Sequence, residues 1–120
     1  DDHHFRDRPQ AYAALRAVLH ALRDRLTPEQ AVHLGAQLPT LVRGIYYEGW
    51  RIADTPSKER QADAFADHVG RELPPGFQRD PLGTAEAVFA VLGAEIDPGE
   101  MAKVGKALPE PIRKHWPVTA

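Results

Sequence analysis

The segment from Arg43 to Trp50 carries the densest set of side chains that could bind a partner or a ligand. It holds three aromatic residues within five positions, in a chain that is only 8% aromatic. On a helix, Tyr47 would point away from the face that Tyr46 occupies, and aromatic residues beside an arginine are typical of binding surfaces. The candidate partner or ligand surface is therefore this set: Arg43, Tyr46, Tyr47 and Trp50. The alternative is that Tyr46 and Trp50 close the two ends of the core while Tyr47 covers the linker.

Arg43 has a counterpart in Arg113, which lies in a similar local sequence in the second half of the chain. Each arginine follows a leucine–proline pair that interrupts a helical pattern, and such an interruption leaves backbone carbonyls without partners. A guanidinium group can donate to these carbonyls. We therefore expect both arginines to be structural. The alternative is that each half of the chain holds a carboxylate- or phosphate-binding arginine.

The six histidines are candidate metal ligands. Three histidine–carboxylate pairs have the i, i+4 spacing of one helix face: His20 with Asp24, Glu29 with His33, and His68 with Glu72. A closed metal site needs three or four converging ligands, and each pair could supply only two. We therefore predict that these pairs are solvated contacts on helix faces and that the chain has no metal site.

No set of residues points to catalysis. Ser57 is the only serine, and its position predicts a helix cap. Glu59, Asp63 and Asp67 fall on one stripe of a predicted helix, which we expect to be its solvated side. The glycines lack the spacing of a phosphate-binding loop. The sequence therefore predicts no catalytic residue and no cofactor, and it favours a non-catalytic role over an enzymatic one.

Composition limits the class of protein further. The chain has 120 residues, 42% of them hydrophobic, with a mean hydropathy of -0.45, which is typical of one compact soluble domain. It has no cysteine, which excludes disulfides and thiolate chemistry and suits the cytoplasm. Its apolar stretches are shorter than the ~20 residues that span a bilayer. The formal charge of -2 argues against a nucleic-acid partner, although basic residues gather near the C-terminus.

The elements that must position these side chains are predicted by an internal repeat. When Ala17 is placed on Ala87, the first half of the chain aligns with the second half without a gap. The first members of the identical pairs are Ala17, Val18, Leu22, Pro28, Gly35, Leu38, Pro39 and Arg43. Apolar residues recur at helical spacing in both copies, and no run alternates as a strand would. The sequence therefore predicts an all-α fold, in which two homologous antiparallel helical repeats pack into one compact bundle of about six helices.

Local signals mark where the helices begin and end. Thr27 and Asp97 each precede a proline and lie three positions before a glutamine or glutamate, so we predict a capping box at both positions. Pro39 and Pro109 lack the N–H group that a continuing helix needs, so each should end one helix and begin another. The glycine at position 35 recurs at the matching position of the second copy, which indicates that helices cross closely there.

These signals divide the chain into a first repeat over residues 1–50, a linker over residues 51–56 and a second repeat over residues 57–120. A helix predicted over residues 57–73 opens the second repeat. Its equivalent in the first repeat would lie upstream of Asp1, so we expect that helix to be missing from the sequence. Without it, the first repeat would expose part of an apolar face, which favours dimerisation or the binding of a partner helix.

The segments from Leu15 to Trp50 and from Ala87 to Trp116 resemble the bacterial domain of unknown function 2267. The resemblance depends on the paired leucine–proline elements, each followed by an arginine, and it covers nearly the whole chain. It implies an all-helical protein with two repeats, each preceded by a further helix, and a bacterial source. It implies no activity, substrate or catalytic residue.

Taken together, the residues predict a non-catalytic cytoplasmic module that binds another protein or assembles with itself. The alternative is a small-molecule or metal-binding helical protein whose site lies between the repeats near Arg43, Tyr46 and Tyr47.

Overall fold

The computed structural model describes residues 8–77 and 79–117. These residues form seven α-helices, one short 3₁₀ helix and no strand. The α-helices are α1 (Arg8–Arg25), α2 (Pro28–Ala36), α3 (Thr40–Tyr47), α4 (Ala62–Glu72), α5 (Pro81–Glu95), α6 (Pro98–Ala107) and α7 (Glu110–Arg113), and the 3₁₀ helix is Ile52–Asp54. The prediction of an all-α fold is confirmed. The described residues form seven α-helices where about six were predicted, and α7 is a single turn.

The core forms where α4 packs against both α1 and α5, which also contact each other. Around this centre, α3 packs on α1 and α2, α2 contacts α6, and α7 contacts α4. The largest fully buried side chains are Tyr46, Phe65, Phe89, Leu19 and Leu22. Within the described ranges, no helix is both long enough and apolar enough to span a membrane.

The helix caps follow the sequence signals at one position and only in part at the other. Thr27 Oγ1 accepts from the Gln30 backbone N–H at 3.3 Å, and Gln30 Oε1 accepts from the Thr27 N–H at 3.1 Å, so the first capping box is confirmed. Asp97 Oδ2 accepts from the Glu100 N–H at 3.2 Å, but the Glu100 side chain makes no return bond. The prediction of a second capping box is therefore wrong. The two carboxylates would repel each other in that arrangement, whereas the amide of Gln30 does not repel Thr27.

Both predicted leucine–proline breaks are present, and the arginine after each break bonds the freed carbonyls. Arg43 Nε donates to Gly35 O at 2.9 Å, and its Nη2 donates to the carbonyls of Ala36 at 3.3 Å and Leu38 at 2.9 Å. Arg113 makes the same three bonds to the matching carbonyls of the second half, at 2.8, 3.3 and 2.8 Å. The structural interpretation of the two arginines is confirmed.

The alignment of the two halves of the chain also places Tyr46 on Trp116, and both side chains are buried. The Tyr46 hydroxyl donates to Ala31 O at 2.7 Å, and Trp116 Nε1 donates to Met101 O at 2.8 Å. Both rings lie against a glycine, because a Cβ added at Gly35 would come within 3.0 Å of Tyr46, and one added at position 105 within 2.8 Å of Trp116. The space at each glycine is filled by an aromatic ring, and at position 105 that ring belongs to Trp116, which follows the end of α7, so the prediction of a close helix crossing is not confirmed there.

Helix α4 begins at Ala62, so the prediction that it begins at Ser57 is wrong. The preceding backbone is bonded to the end of α1 instead. The Ser57 N–H donates to Asp24 O at 2.6 Å, and Arg25 Nη1 donates to the carbonyl of Ser57 and, at 2.9 Å, to that of Glu59. The Ser57 hydroxyl donates to the Glu59 carboxylate at 2.7 Å rather than capping a helix. These contacts hold residues 57–59 outside the helix.

Candidate functional site

The aromatic segment lies on α3 and the turn that follows it. Gly49 has φ +70° directly after the end of α3, a conformation that glycine adopts without strain at a helix C-terminus. This turn brings Trp50 back over α3, where its ring stacks on Tyr47 at a centroid distance of 5.5 Å. Tyr47 in turn meets Tyr46 edge to face at 5.0 Å. The three aromatics therefore form one continuous row from the core to the surface.

The four residues of the predicted partner or ligand surface differ in their exposure. Tyr46 is fully buried, and burial, followed by the neighbouring Tyr47, raises the pKa of its hydroxyl. Arg43 uses its guanidinium on three backbone carbonyls. Tyr47 and Trp50 are half-buried and pack against the core. The assignment of these four residues to a binding surface stays a prediction, and Tyr47 and Trp50 are the two whose rings lie nearest the surface.

An apolar depression lies beside this aromatic row. It has a volume of about 400 Å³ and is lined by Tyr12 of α1 together with Leu41, Gly44, Ile45 and Tyr47 of α3, with Glu48 at its edge. Leu41 is 78% exposed and Tyr12 is 50% exposed. Of its six lining residues, we call the five uncharged ones the α1–α3 patch: Tyr12, Leu41, Gly44, Ile45 and Tyr47. Sequence reasoning did not identify Tyr12 or Leu41 as surface residues.

The patch exists because α3 is apolar on two sides. Leu41, Gly44 and Ile45 have the i, i+3, i+4 spacing of one helix face, while Tyr46 on another face fills the core. One signal could have separated the two faces. In the self-alignment of the chain, Leu41 and Gly44 match Pro111 and Lys114, so the outer face of α3 is apolar only in the first half.

Two charged side chains form what we call the rim of the patch: Glu48, which lines the same depression, and Arg16, which bonds to Glu48. Arg16 Nε donates to Glu48 Oε1 at 2.9 Å, and its Nη1 donates to Glu72 Oε1 at 3.2 Å. The hydrogen bond with Glu48 raises the pKa of Arg16, so the arginine keeps its charge. Arg16 is about one-third exposed and Glu48 about half exposed. The rim therefore presents one cation and one anion that solvent or a partner can reach.

Arg23 of α1 holds the C-terminal end of α3 from the buried side of the helix. It is 3% exposed, and its Nη1 donates to the carbonyls of Tyr46 and Glu48, each at 2.8 Å. Its Nε donates to Asp24 Oδ1, also at 2.8 Å. Because carbonyls at a helix C-terminus have no partner within the helix, this buried guanidinium satisfies them and holds the turn that carries Trp50. Sequence reasoning did not identify Arg23.

The residues of two predicted pairs, His20 with Asp24 and His68 with Glu72, pair between α1 and α4 instead of along one helix. The prediction that they are solvated contacts on helix faces is therefore wrong. His20 is 2% exposed, with Nε2 2.7 Å from Ile45 O and Nδ1 3.3 Å from Glu72 Oε1. His68 Nε2 lies 3.6 Å from Asp24 Oδ2. Each histidine therefore pairs with the carboxylate on the opposite helix, because α1 and α4 pack face to face. Glu29 and His33 are exposed, as the sequence predicts.

Glu59 completes this polar region. Its carboxylate accepts from the Ser57 hydroxyl, and His68 Nδ1 lies 3.0 Å from it. Burial works to raise the pKa of Glu59, but the hydrogen bonds from His68 and Ser57 outweigh it and hold the pKa below its ordinary value. In the described parts of the chain, no group of three or more His, Cys, Asp or Glu is arranged to hold a metal ion. The arrangement supports packing of α1, α3 and α4, and it leaves the α1–α3 patch as an open apolar feature.

Comparison with known proteins gives a family. No curated protein matches the chain. The family model described as "Uncharacterized conserved protein (DUF2267)" matches residues 1–115. That match spans nearly all of the 120 residues, so the chain belongs to the DUF2267 family.

Proposed function

We propose that this protein is a non-catalytic assembly module that pairs with a second copy of itself through the α1–α3 patch. One observation carries the proposal. Of the four large hydrophobic side chains that are exposed in the described residues, Tyr12 and Leu41 line the same depression. Leu41 is 78% exposed and lies beside two tyrosines and an isoleucine. Its removal from water by a partner lowers the free energy of the system and so favours association.

A second copy is the partner whose charges fit the rim. A two-fold axis places the same patch on both sides of an interface. An axis that passes between Arg16 and Glu48 would place Arg16 of one copy opposite Glu48 of the other, and the reverse pair beside it. The formal net charge of -2 adds little repulsion between copies. An acidic or a basic partner would match only one of the two rim charges.

The patch is also held in place before binding. Arg23 bonds the end of α3, Arg43 bonds its beginning to α2, and Tyr46 fills the core beneath it. A preformed surface loses less conformational entropy on association than a mobile one. The contact area is small, so we expect a weak, reversible dimer.

Sedimentation velocity on the unchanged chain and on Leu41→Asp tests the proposal. The unchanged chain should sediment increasingly as a dimer of the 13.3 kDa chain at concentrations up to the order of 1 mM. Leu41→Asp puts a charge on both sides of the interface and should weaken dimerisation by at least about tenfold. Ile52→Asp is the matched control, since Ile52 is 55% exposed but lies outside the patch.

Two results would refute the proposal. One is a chain that stays monomeric over the whole concentration range. The other is that Leu41→Asp dimerises as strongly as the unchanged chain. That result would show that the dimer interface lies outside the α1–α3 patch. Both variants should keep their fold, as checked by circular dichroism, because substitutions of exposed side chains cost little stability.

The alternative site near Arg43, Tyr46 and Tyr47 has less support. Arg43 already donates to three carbonyls, and Tyr46 is buried with its hydroxyl bonded to Ala31. Both side chains therefore already have partners within the chain, which lowers the support for a ligand site there.

We also propose that residues 1–50 and 57–120 are two copies of one unit, joined by residues 51–56, and that the protein works in a bacterial cytoplasm. The matched bonds of Arg43 and Arg113 support the repeat. The lack of cysteine suits a reducing compartment.

A further inference from the structure

A second feature lies on another part of the surface, between α2 and α6. A cavity of about 500 Å³ joins the N-terminal half of α2 to the C-terminal half of α6. Another, of about 460 Å³, joins the C-terminal half of α2 to the N-terminal half of α6. The side chains of His33, Glu100 and Lys103 line both cavities. Their volumes lie within the range of small-molecule sites.

Glu100 is the unusual residue of this region. It is only 8% exposed, and within the described residues its carboxylate has no hydrogen bond and no ion pair. Gln30, its match in the first half of the chain, is exposed and returns a bond to its cap. The Glu100 carboxylate oxygens are not among the fully buried atoms of the described residues that lack a hydrogen-bond partner, so they keep contact with solvent at the cavity wall. A largely buried carboxylate is normally paired, and Glu100 therefore lines the two cavities as an anion that lacks its cation.

Two neighbouring lysines supply the opposite charge. Lys103 and Lys106 of α6 line the larger cavity and are exposed, and so are the side chains of His33 and Glu29 on α2. Lys103 lies at i+3 from Glu100, so the two Cβ atoms are about 5–6 Å apart on the helix. Lys103 does not form an ion pair with Glu100 within the described residues. The cavity thus offers a buried anion and exposed cations as separate groups.

We propose that the larger cavity binds a small zwitterion that carries an ammonium group and a carboxylate, such as a short peptide. The ammonium group donates to the Glu100 carboxylate, and the ligand carboxylate faces Lys103 and Lys106. The termini of a dipeptide are separated by roughly 7 Å, the reach of two extended residues. That separation is comparable to the distance between neighbouring side chains on one face of α6. This site is independent of the α1–α3 patch.

The comparison with α2 provides a variant that should keep the fold. Glu100→Gln gives α6 the residue that completes the capping box of α2. It also removes the buried charge, so the variant should be at least as stable as the unchanged chain. Glu95→Gln is the matched control, because Glu95 is an exposed carboxylate at the end of α5 and lines neither cavity.

Amide NMR titration with the dipeptide Ala-Ala tests the site. We expect chemical-shift changes confined to residues of α2 and α6. Glu100→Gln should raise the dissociation constant at least about tenfold, and Glu95→Gln should leave it unchanged. Ethylamine and acetate, which carry one charge each, should bind more weakly than the dipeptide. Three results would overturn the proposal: no shifts in α2 or α6, equal binding by Glu100→Gln, or equal binding of ethylamine.

Discussion

Replacing Arg23 with methionine removes the guanidinium group that holds the end of α3. Arg23 is 3% exposed and makes three hydrogen bonds of 2.8 Å, two to the carbonyls of Tyr46 and Glu48 and one to Asp24. Methionine has a similar length and keeps the packing of the stem. The substitution therefore isolates the polar contribution of Arg23.

The expected loss of stability follows from these contacts. A hydrogen bond to a charged group contributes about 1.5–3 kcal/mol, and removing one partner of a buried ion pair costs about 3–5 kcal/mol. Because the bonds share one side chain they do not add fully, and we expect Arg23→Met to lower the free energy of unfolding by about 3–5 kcal/mol. At roughly 3–5 °C per kcal/mol for a domain of this size, Tm should fall by roughly 9–25 °C.

Urea denaturation followed by circular dichroism measures this change. Arg51→Met is the matched control, since Arg51 is exposed and lines the same small cavity as Arg23. It should change the unfolding free energy by less than about 0.5 kcal/mol. Arg23→Lys should fall between the two, because lysine keeps the charge but not the planar donor group. A loss below about 1 kcal/mol in Arg23→Met would refute the assignment of Arg23 as the residue that fixes this turn.

Two further predictions concern stability. Arg43→Met and Arg113→Met should each lower the free energy of unfolding by about 1–2 kcal/mol, and the two losses should agree within about 0.5 kcal/mol. The reason is that each side chain bonds three matching carbonyls in its own half of the chain. Urea denaturation measures both losses, and no loss in either variant would contradict the prediction. The folded-state pKa of Glu59 lies below its ordinary 4.5, so its contribution to stability is present above that pH and is lost as pH falls through the folded-state pKa. The stability difference between the unchanged chain and Glu59→Gln should therefore shrink in urea denaturations between neutral and acidic pH, and a constant difference would contradict the role of its hydrogen bonds.

Most of the helices, and several of their ends, could be predicted because the signals for them are local. Thr27 and Gln30 lie three positions apart, and Pro39 blocks a helix whatever surrounds it. The role of Arg43 could be inferred because Arg113 occupies the same position in an equivalent break. These features depend on contacts between residues that are close in sequence.

The polar contacts between helices could not be predicted in the same way. His20 and Asp24 have the spacing of a pair on one helix, yet each finds its partner on α4, at Glu72 and His68. Spacing along the chain does not show which helices will pack face to face. Leu41 illustrates the same difficulty, because apolar periodicity does not separate a side chain that fills the core from one that remains exposed.

The start of α4 shows how distant contacts change local structure. Ser57 has the sequence signal of a cap, but its backbone N–H and carbonyl both bond to the end of α1. These bonds replace the ones that the helix would have made. The prediction was wrong because the competing partners, Asp24 and Arg25, are far from Ser57 in the sequence and come close to it only in the folded chain.

The most direct test of self-assembly through the α1–α3 patch is a distance measured between two copies. The chain has no cysteine, so Ile52→Cys gives a single attachment point for a nitroxide label. Ile52 is 55% exposed and does not line the α1–α3 patch, so a label there leaves the proposed interface open. If the patch is the interface, pulsed electron paramagnetic resonance will detect one defined distance between the two labels, and Leu41→Asp in the same chain will abolish it. Absence of any dipolar signal at concentrations where the chain is dimeric would contradict the proposed interface.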